Sequence, residues 1–194
     1  MPLMTIDASS HSRAGLDAEE ELWRQRVGAL QAAPRLMREL GVDPRPVLAA
    51  AGLNESAFDL AENTIPYAAF GRLMHGGAQH TGLDHFGLLV GEAWGLQSMG
   101  LPGQLMRHAA TVRGALRYAV VYHHLNSQGG VVFVREQGAV AEFGYAIYHR
   151  GGVGTRQIYD GVLAALVNIM RELCGQGWVP GEVLLAHAAP ADAS

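Results

Sequence analysis

The apolar residues of this chain change period once, and that change limits the folds open to it. Up to Leu125 they recur at helical spacing in short runs. From Gly130 to Glu136 and from Ala139 to Tyr148 the chain is rich in β-formers. From Thr155 to Cys174 a helical stripe returns. The hinge of this arrangement is Met99 to Leu125, which reads as two helices meeting at a capped joint. Pro102 suits a first helical turn, where its missing N–H leaves no bond unmade. Thr111 reads as the N-cap of the second helix, whose apolar face is Val112, Ala115, Leu116, Ala119 and Val120.

Before the joint the pattern is all-helical with short connections. Ala18 to Leu30 is helix-compatible, with Trp23, Val27 and Leu30 on one side and three acids near its start. Pro34 to Leu40 is a short helix stopped by Gly41. Asp43-Pro44 opens the next, as N-cap and first helical residue. A turn at Asn54-Glu55-Ser56 leads to a short helical piece. A longer helix begins at Ile65-Pro66 and buries Tyr67, Phe70, Leu73 and Met74. Asp84 is read as the cap of a helix from His85 to Trp94, with Phe86, Leu89 and Val90 inward.

After the joint, Gln137-Gly138 reads as a two-residue hairpin loop, pairing Glu136 with Ala139 and Val134 with Ala141. Val132, Val134, Ala141 and Phe143 then share the buried face, while Arg135 and Glu142 are diagonal neighbours on the wet one. The long helix from Thr155 carries Ile158, Val162, Leu166, Ile169, Met170 and Leu173. Val183-Leu184-Leu185 reads as a third strand. The expectation is an α+β fold: an N-terminal helical bundle, then a small antiparallel sheet (hairpin plus third strand) packed with a long helix. Residues 1–17 are expected to be a disordered tail, 18–188 one domain, and 189–194 the start of a linker.

Composition bounds the function. The formal net charge is −4, whereas a nucleic-acid surface normally carries a basic excess. The single cysteine, Cys174, excludes an internal disulfide, and its place in an apolar helix predicts a buried, inert thiol. No secretory leader or membrane-length apolar run is present, so a cytoplasmic protein is expected. His75, His80 and His85 are five apart, which turns each about 140° from the last on a helix. With no HExxH or CxxC pattern, no metal and no cofactor are expected. Arg150-Gly-Gly-Val-Gly-Thr lacks a phosphate-loop lysine, and G-x-S-x-G does not occur. Nothing recommends an enzyme.

A ligand pocket fits the residues better. Trp94, Met99, Met106, Tyr118, Tyr122, Phe143, Tyr145 and Tyr148 fall in the half of the chain around the joint, and Arg107, Arg113 and Arg117 offer anion contacts. The candidate site is therefore Trp94, Met99, Met106, Arg107, Arg113, Tyr118, Tyr122, Phe143 and Tyr145. The alternative for each is an ordinary core aromatic or a wet arginine.

Several stretches in order resemble one family. Gly41-Val-Asp-Pro-Arg-Pro-Val-Leu-Ala-Ala-Ala-Gly-Leu, Ile65-Pro-Tyr-Ala-Ala-Phe and His85-Phe-Gly-Leu-Leu-Val-Gly-Glu come first. Met99-Gly-Leu-Pro-Gly, Ala110-Thr-Val-Arg-Gly-Ala-Leu-Arg-Tyr and Trp178-Val-Pro-Gly-Glu-Val-Leu-Leu-Ala-His follow. Together they resemble the arabinose-binding-like effector domain of AraC/XylS-type transcription regulators, over about Pro34 to Asp192. The family's usual Thr-Leu-Gly-Glu-Ala-Leu is Thr111-Val-Arg-Gly-Ala-Leu here. The acid a capping box requires is gone, and Gly114 weakens the helix by roughly 1 kcal/mol.

The resemblance implies a ligand-sensing domain. A small-molecule effector of unidentified kind would bind between the helical part and the hairpin. It would control a C-terminal helix-turn-helix domain, the only route to DNA and one that this chain does not contain. A homodimer is possible on this reading. The rival readings are a dimerisation or interaction domain that senses nothing, and a small enzyme.

Overall fold

A computed structural model describes residues 23–148 and 152–187. The expected tail, the expected linker and Arg150-Gly151 of the glycine-rich turn lie outside these residues. Helices α1 (Ala32–Glu39) and α2 (Pro44–Ala50) come first. α3 (Tyr67–Thr81), α4 (Phe86–Glu92), α5 (Leu101–Arg107) and α6 (Val112–Tyr122) follow. The hairpin of β3 (Gly130–Gln137) and β4 (Val140–Ile147) precedes the long helix α7 (Thr155–Cys174). The mixed α+β class holds. Among the described residues no helix is long and apolar enough to cross a membrane.

The local signals for the helix ends hold where a side chain or glycine makes the bond alone. α1 and α2 both stop at a glycine with positive φ, Gly41 and Gly52. The next N–H reaches back over the last turn, Val42 to Met37 O at 2.8 Å and Leu53 to Leu48 O at 2.8 Å. Asp43 Oδ1 accepts from Arg45 N at 3.0 Å. At the joint, Thr111 Oγ1 accepts from Gly114 N at 3.1 Å, and Pro102 sits in the first turn of α5. Tyr67, Phe70, Leu73 and Met74 are all buried in the main core with Phe86, Val90 and Trp94.

Several expectations are corrected. The described part of Ala18–Leu30 is not an α-helix. It is strand β1 (Arg24–Arg26) followed by a 3-10 turn, Val27–Leu30. β1 pairs with β2 (Thr64–Pro66), and on its other side meets the segment before the hairpin, with Arg26 N donating to Asn126 O at 2.7 Å. Arg26 is buried, its guanidinium gripping both oxygens of Glu62 at 2.6 and 2.8 Å. These distant partners outweigh a local helical tendency.

In the hairpin, Gln137 pairs with Val140, so the loop is Gly138-Ala139 and not Gln137-Gly138. Gly138 takes the first central position with φ 61°, as a type II′ turn requires. The shift moves each partner by two residues and keeps the faces, but Ala141, expected on the buried one, is exposed because it lies beside the turn. Val132 is buried, and Arg135 lies directly opposite Glu142. Val183-Leu184-Leu185 is not a strand: among the described residues, no backbone hydrogen bond joins 179–186 to the rest of the fold. Pro180 has no N–H for a ladder, and Val183, Leu184 and Leu185 stay exposed. Cys174 is exposed, at the last position of α7, where the helix has left the core.

Asp84 does not cap α4 with its side chain. His85 is the N-cap residue, and the first turn is bonded by Gln157 of α7 instead. Gln157 Oε1 accepts from Gly87 N at 2.6 Å, and Nε2 donates to Asp84 O at 2.7 Å. At the far end of α4, Asn168 Nδ2 donates to Glu92 O and Trp94 O, both at 3.0 Å. Between these two caps the backbones of α4 and α7 touch. A Cβ on Gly87 would lie 2.2 Å from Gln157 O, and one on Gly91 would lie 2.2 Å from Gly161 O.

Overpacking such a contact forces the backbones apart and typically costs about 1–3 kcal/mol. Gly91→Leu is expected to lower stability in urea denaturation by at least about that amount. Gly177→Ala, where nothing lies within 4 Å of a new Cβ, is expected to stay within about 0.5 kcal/mol of the parent.

Candidate functional site

A cavity of about 700 Å³ opens between the hairpin, α7 and the segment 178–186. Its floor is the outer side of α7. Tyr159, Leu163, Leu166, Val167 and Met170 recur there at helical spacing, beside the stripe that enters the core. One wall is the hairpin, from Phe133 and Phe143 to Tyr145. The other is the strap, as we term residues 178–187, with Trp178, Pro180 and Val183 to Leu185 facing the cavity.

The strap is tied at both ends. Trp178 N donates to Gly175 O at 3.0 Å, and Arg171 Nε donates to Trp178 O at 3.4 Å. At the other end, His187 Nε2 lies 2.7 Å from Oδ1 of Asp160, which is 2% exposed.

Behind the hairpin wall lies a tyrosine cluster. Tyr145 and Tyr67 share a hydroxyl–hydroxyl hydrogen bond of 3.0 Å, and Tyr159 accepts from Ile147 N at 3.2 Å. Burial pushes the ionisation of both Tyr67 and Tyr145 upward, so both hydroxyls stay protonated. The His123 ring packs edge-on against Tyr145 at 5.6 Å, and Nε2 is buried with no hydrogen-bond partner among the described residues. Burial, with a smaller contribution from neighbouring His124, pulls the His123 pKa from 6.5 down to about 4.

The residues singled out in the sequence are not brought to one place. Phe143 and Tyr145 line the large cavity. Met106 and Arg107 line a separate one of about 370 Å³ at the α5–α6 joint, with Thr111 and Glu172. Arg107 faces Glu172 there at 3.5 Å. Trp94 is in the main core, and Met99 packs at the edge of a second core cluster around Leu96, Met106 and Ile169. Arg113 is exposed and paired with Glu136 at 3.0 Å. Tyr118 is exposed, with its ring 6.1 Å from that of Tyr122. Tyr148 is exposed as well.

Local pattern does not separate α7's outer stripe, where Tyr159, Leu163 and Val167 join Leu166 and Met170, from its core face, nor mark the strap as a cavity wall. The signal for the first is that apolar residues occupy more of α7 than one core face needs. For the strap, the signal is the apolar run Val183-Leu184-Leu185, which by itself cannot be told from a strand. Among the described residues no group of three or more histidine, cysteine or acidic side chains is placed to hold a metal ion.

The fold and cavity now stand beside what the chain is similar to. Residues 41–194 match the family described as the arabinose-binding domain of AraC transcription regulator, N-term. The chain belongs to this family, a class of regulatory effector-binding domains and not of enzymes. No curated protein matches the sequence.

His123 makes stability depend on pH in a stated direction. Its folded pKa lies below its ordinary value, so the unfolded chain takes up the proton first as pH falls. The contribution is complete above pH 6.5 and drains away toward about pH 4. Between about pH 7.5 and 5 the loss is about 2 kcal/mol, at 1.36 kcal/mol per pKa unit. Urea unfolding at the two pH values is expected to show this loss in the parent and to lack it in His123→Phe. Equal pH slopes in the two proteins would contradict it.

Proposed function

We propose that this is the sensing domain of a cytoplasmic AraC-type transcription regulator, with the effector bound in the cavity between hairpin, α7 and strap. The observation that carries the reading is the cavity itself. In a chain of an effector-binding family, it has a size usual for small-molecule sites and is walled by apolar side chains.

Control of a DNA-binding domain is read from the strap. It forms one wall of the cavity, and it is the last described part of the chain before the proposed linker, residues 189–194. An effector touching Trp178 and Leu185 favours one strap position over another. A ligand shifts such an equilibrium only through unequal affinity for the two states. The helix-turn-helix domain beyond the linker would feel that shift. A homodimer would place two such readers on repeated half-sites. On this reading the excess of acid over base belongs to a domain that leaves DNA contact to its partner domain.

The test is a thermal-shift panel of sugars, amino acids, fatty acids and neutral apolar metabolites against the chain. A ligand at about 100 times its Kd adds about 2.7 kcal/mol. For a domain of this size, that raises Tm by roughly 5–10 °C. At least one class is expected to do so, and the chain alone is expected to bind no operator DNA. A panel without any shift, or tight DNA binding by the chain alone, would overturn the reading.

A further inference from the structure

Resting on that reading of the cavity, we infer that its effector is an uncharged, largely apolar molecule, and not a sugar despite the family's description. The cavity chemistry carries this. The groups that face it from α7 are Leu163, Leu166, Val167 and Met170, none of which can hydrogen-bond a hydroxyl strongly. Of the two tyrosines on its wall and floor, Tyr145 is bonded to Tyr67, and Tyr159 accepts from Ile147 N and keeps only its own O–H to offer a ligand. A sugar brings a hydroxyl on nearly every carbon. The other polar side chains of the lining, Arg135, Gln137, Glu142 and Glu182, are all exposed, so hydroxyls held against the α7 floor would give up water without a partner, which opposes binding.

Charge argues the same way against an anion. The charged side chains lining the cavity are Arg135, Glu142 and Glu182, one cation against two carboxylates among the described residues. Arg135 is already engaged: its guanidinium lies 4.9 Å from the centre of the Phe133 ring and 3.8 Å from Glu142. A carboxylate effector would have to displace Glu142 from it and then face Glu182. An uncharged apolar ligand meets neither cost and gains from leaving water.

The experiment uses the fluorescence of N-phenylnaphthylamine, an uncharged apolar probe, bound to the whole chain. Hexanol, octanol and decanol are expected to displace it, with affinity rising about fourfold per added methylene, as burial of about 0.8 kcal/mol per CH₂ requires. Decanoate is expected to compete more weakly than decanol, and L-arabinose not at all. Leu163→Trp fills the cavity and is expected to weaken probe binding about tenfold, with the milder Leu163→Phe weakening it less. Circular dichroism confirms that each variant is folded.

Displacement or stabilisation by L-arabinose, with no response to the alkanols, would overturn the ligand class and leave the sensor reading standing. Decanoate competing better than decanol would overturn the uncharged character. Unchanged probe affinity in both Leu163 variants would overturn the location. No binding by any probe, sugar or acid would defeat this inference and the sensor reading together.

Discussion

The contact on which the rest of the structure depends is the crossing of α4 on α7. A seven-residue helix is too short to hold itself together in water, since nucleation costs more than so few bonds return. α4 survives because α7 completes it at both ends. Gln157 bonds its first turn, and Asn168 bonds its last carbonyls. Between them, Gly87 and Gly91 let the two backbones meet without side chains. Glu172 extends the line by accepting from Leu96 N at 2.9 Å. The polar side chains of one helix thus satisfy backbone groups of the other, and burial of those groups is tolerated only on that condition.

This crossing gives α7 two faces with different tasks. One face is spent on α4 and the core, through Ile158, Gly161, Ala165 and Ile169. The other, from Tyr159 to Met170, remains apolar and becomes the floor of the cavity. The hairpin sits over that floor because β3 and β4 pair with one another and not with a third strand. The strap then runs beside the cavity, fastened at Trp178 and by the His187–Asp160 pair. A segment held in this way has little cooperative stability of its own. Segments of that kind are where ligand-dependent movement is normally found.

Much of the architecture was legible in the residues because its causes are local. Asp43, Thr111, Gly41 and Gly52 form their caps within a few residues of themselves, so the pattern alone places them. The hairpin was legible to within a small shift of register, since only the turn decides which residue takes the positive φ. β1 was not legible. Gln25 and Arg26 lie in a helix-like context, yet they are buried between β2 and Ser127, far apart in the chain. The Asp84 cap failed for a related reason: Gln157 supplies the bond from seventy residues away. Of the candidate site, Phe143 and Tyr145 face the cavity, while Arg107 and Arg113 are paired with Glu172 and Glu136.

By itself, the sequence determined most of the helices before the joint, the capped joint, the hairpin to within a shift of register, and the span of the long helix. Each follows from periodicity and from side chains that bond their own neighbourhood. The order of its motifs also determined the family. The tertiary structure alone decided which apolar residues form core and which line a cavity. An apolar side chain looks the same in either role until the elements around it are packed. It decided, too, that Val183 to Leu185 cover a cavity and do not extend a sheet. A strand needs a free edge in register with it, and no pattern within the segment can supply one.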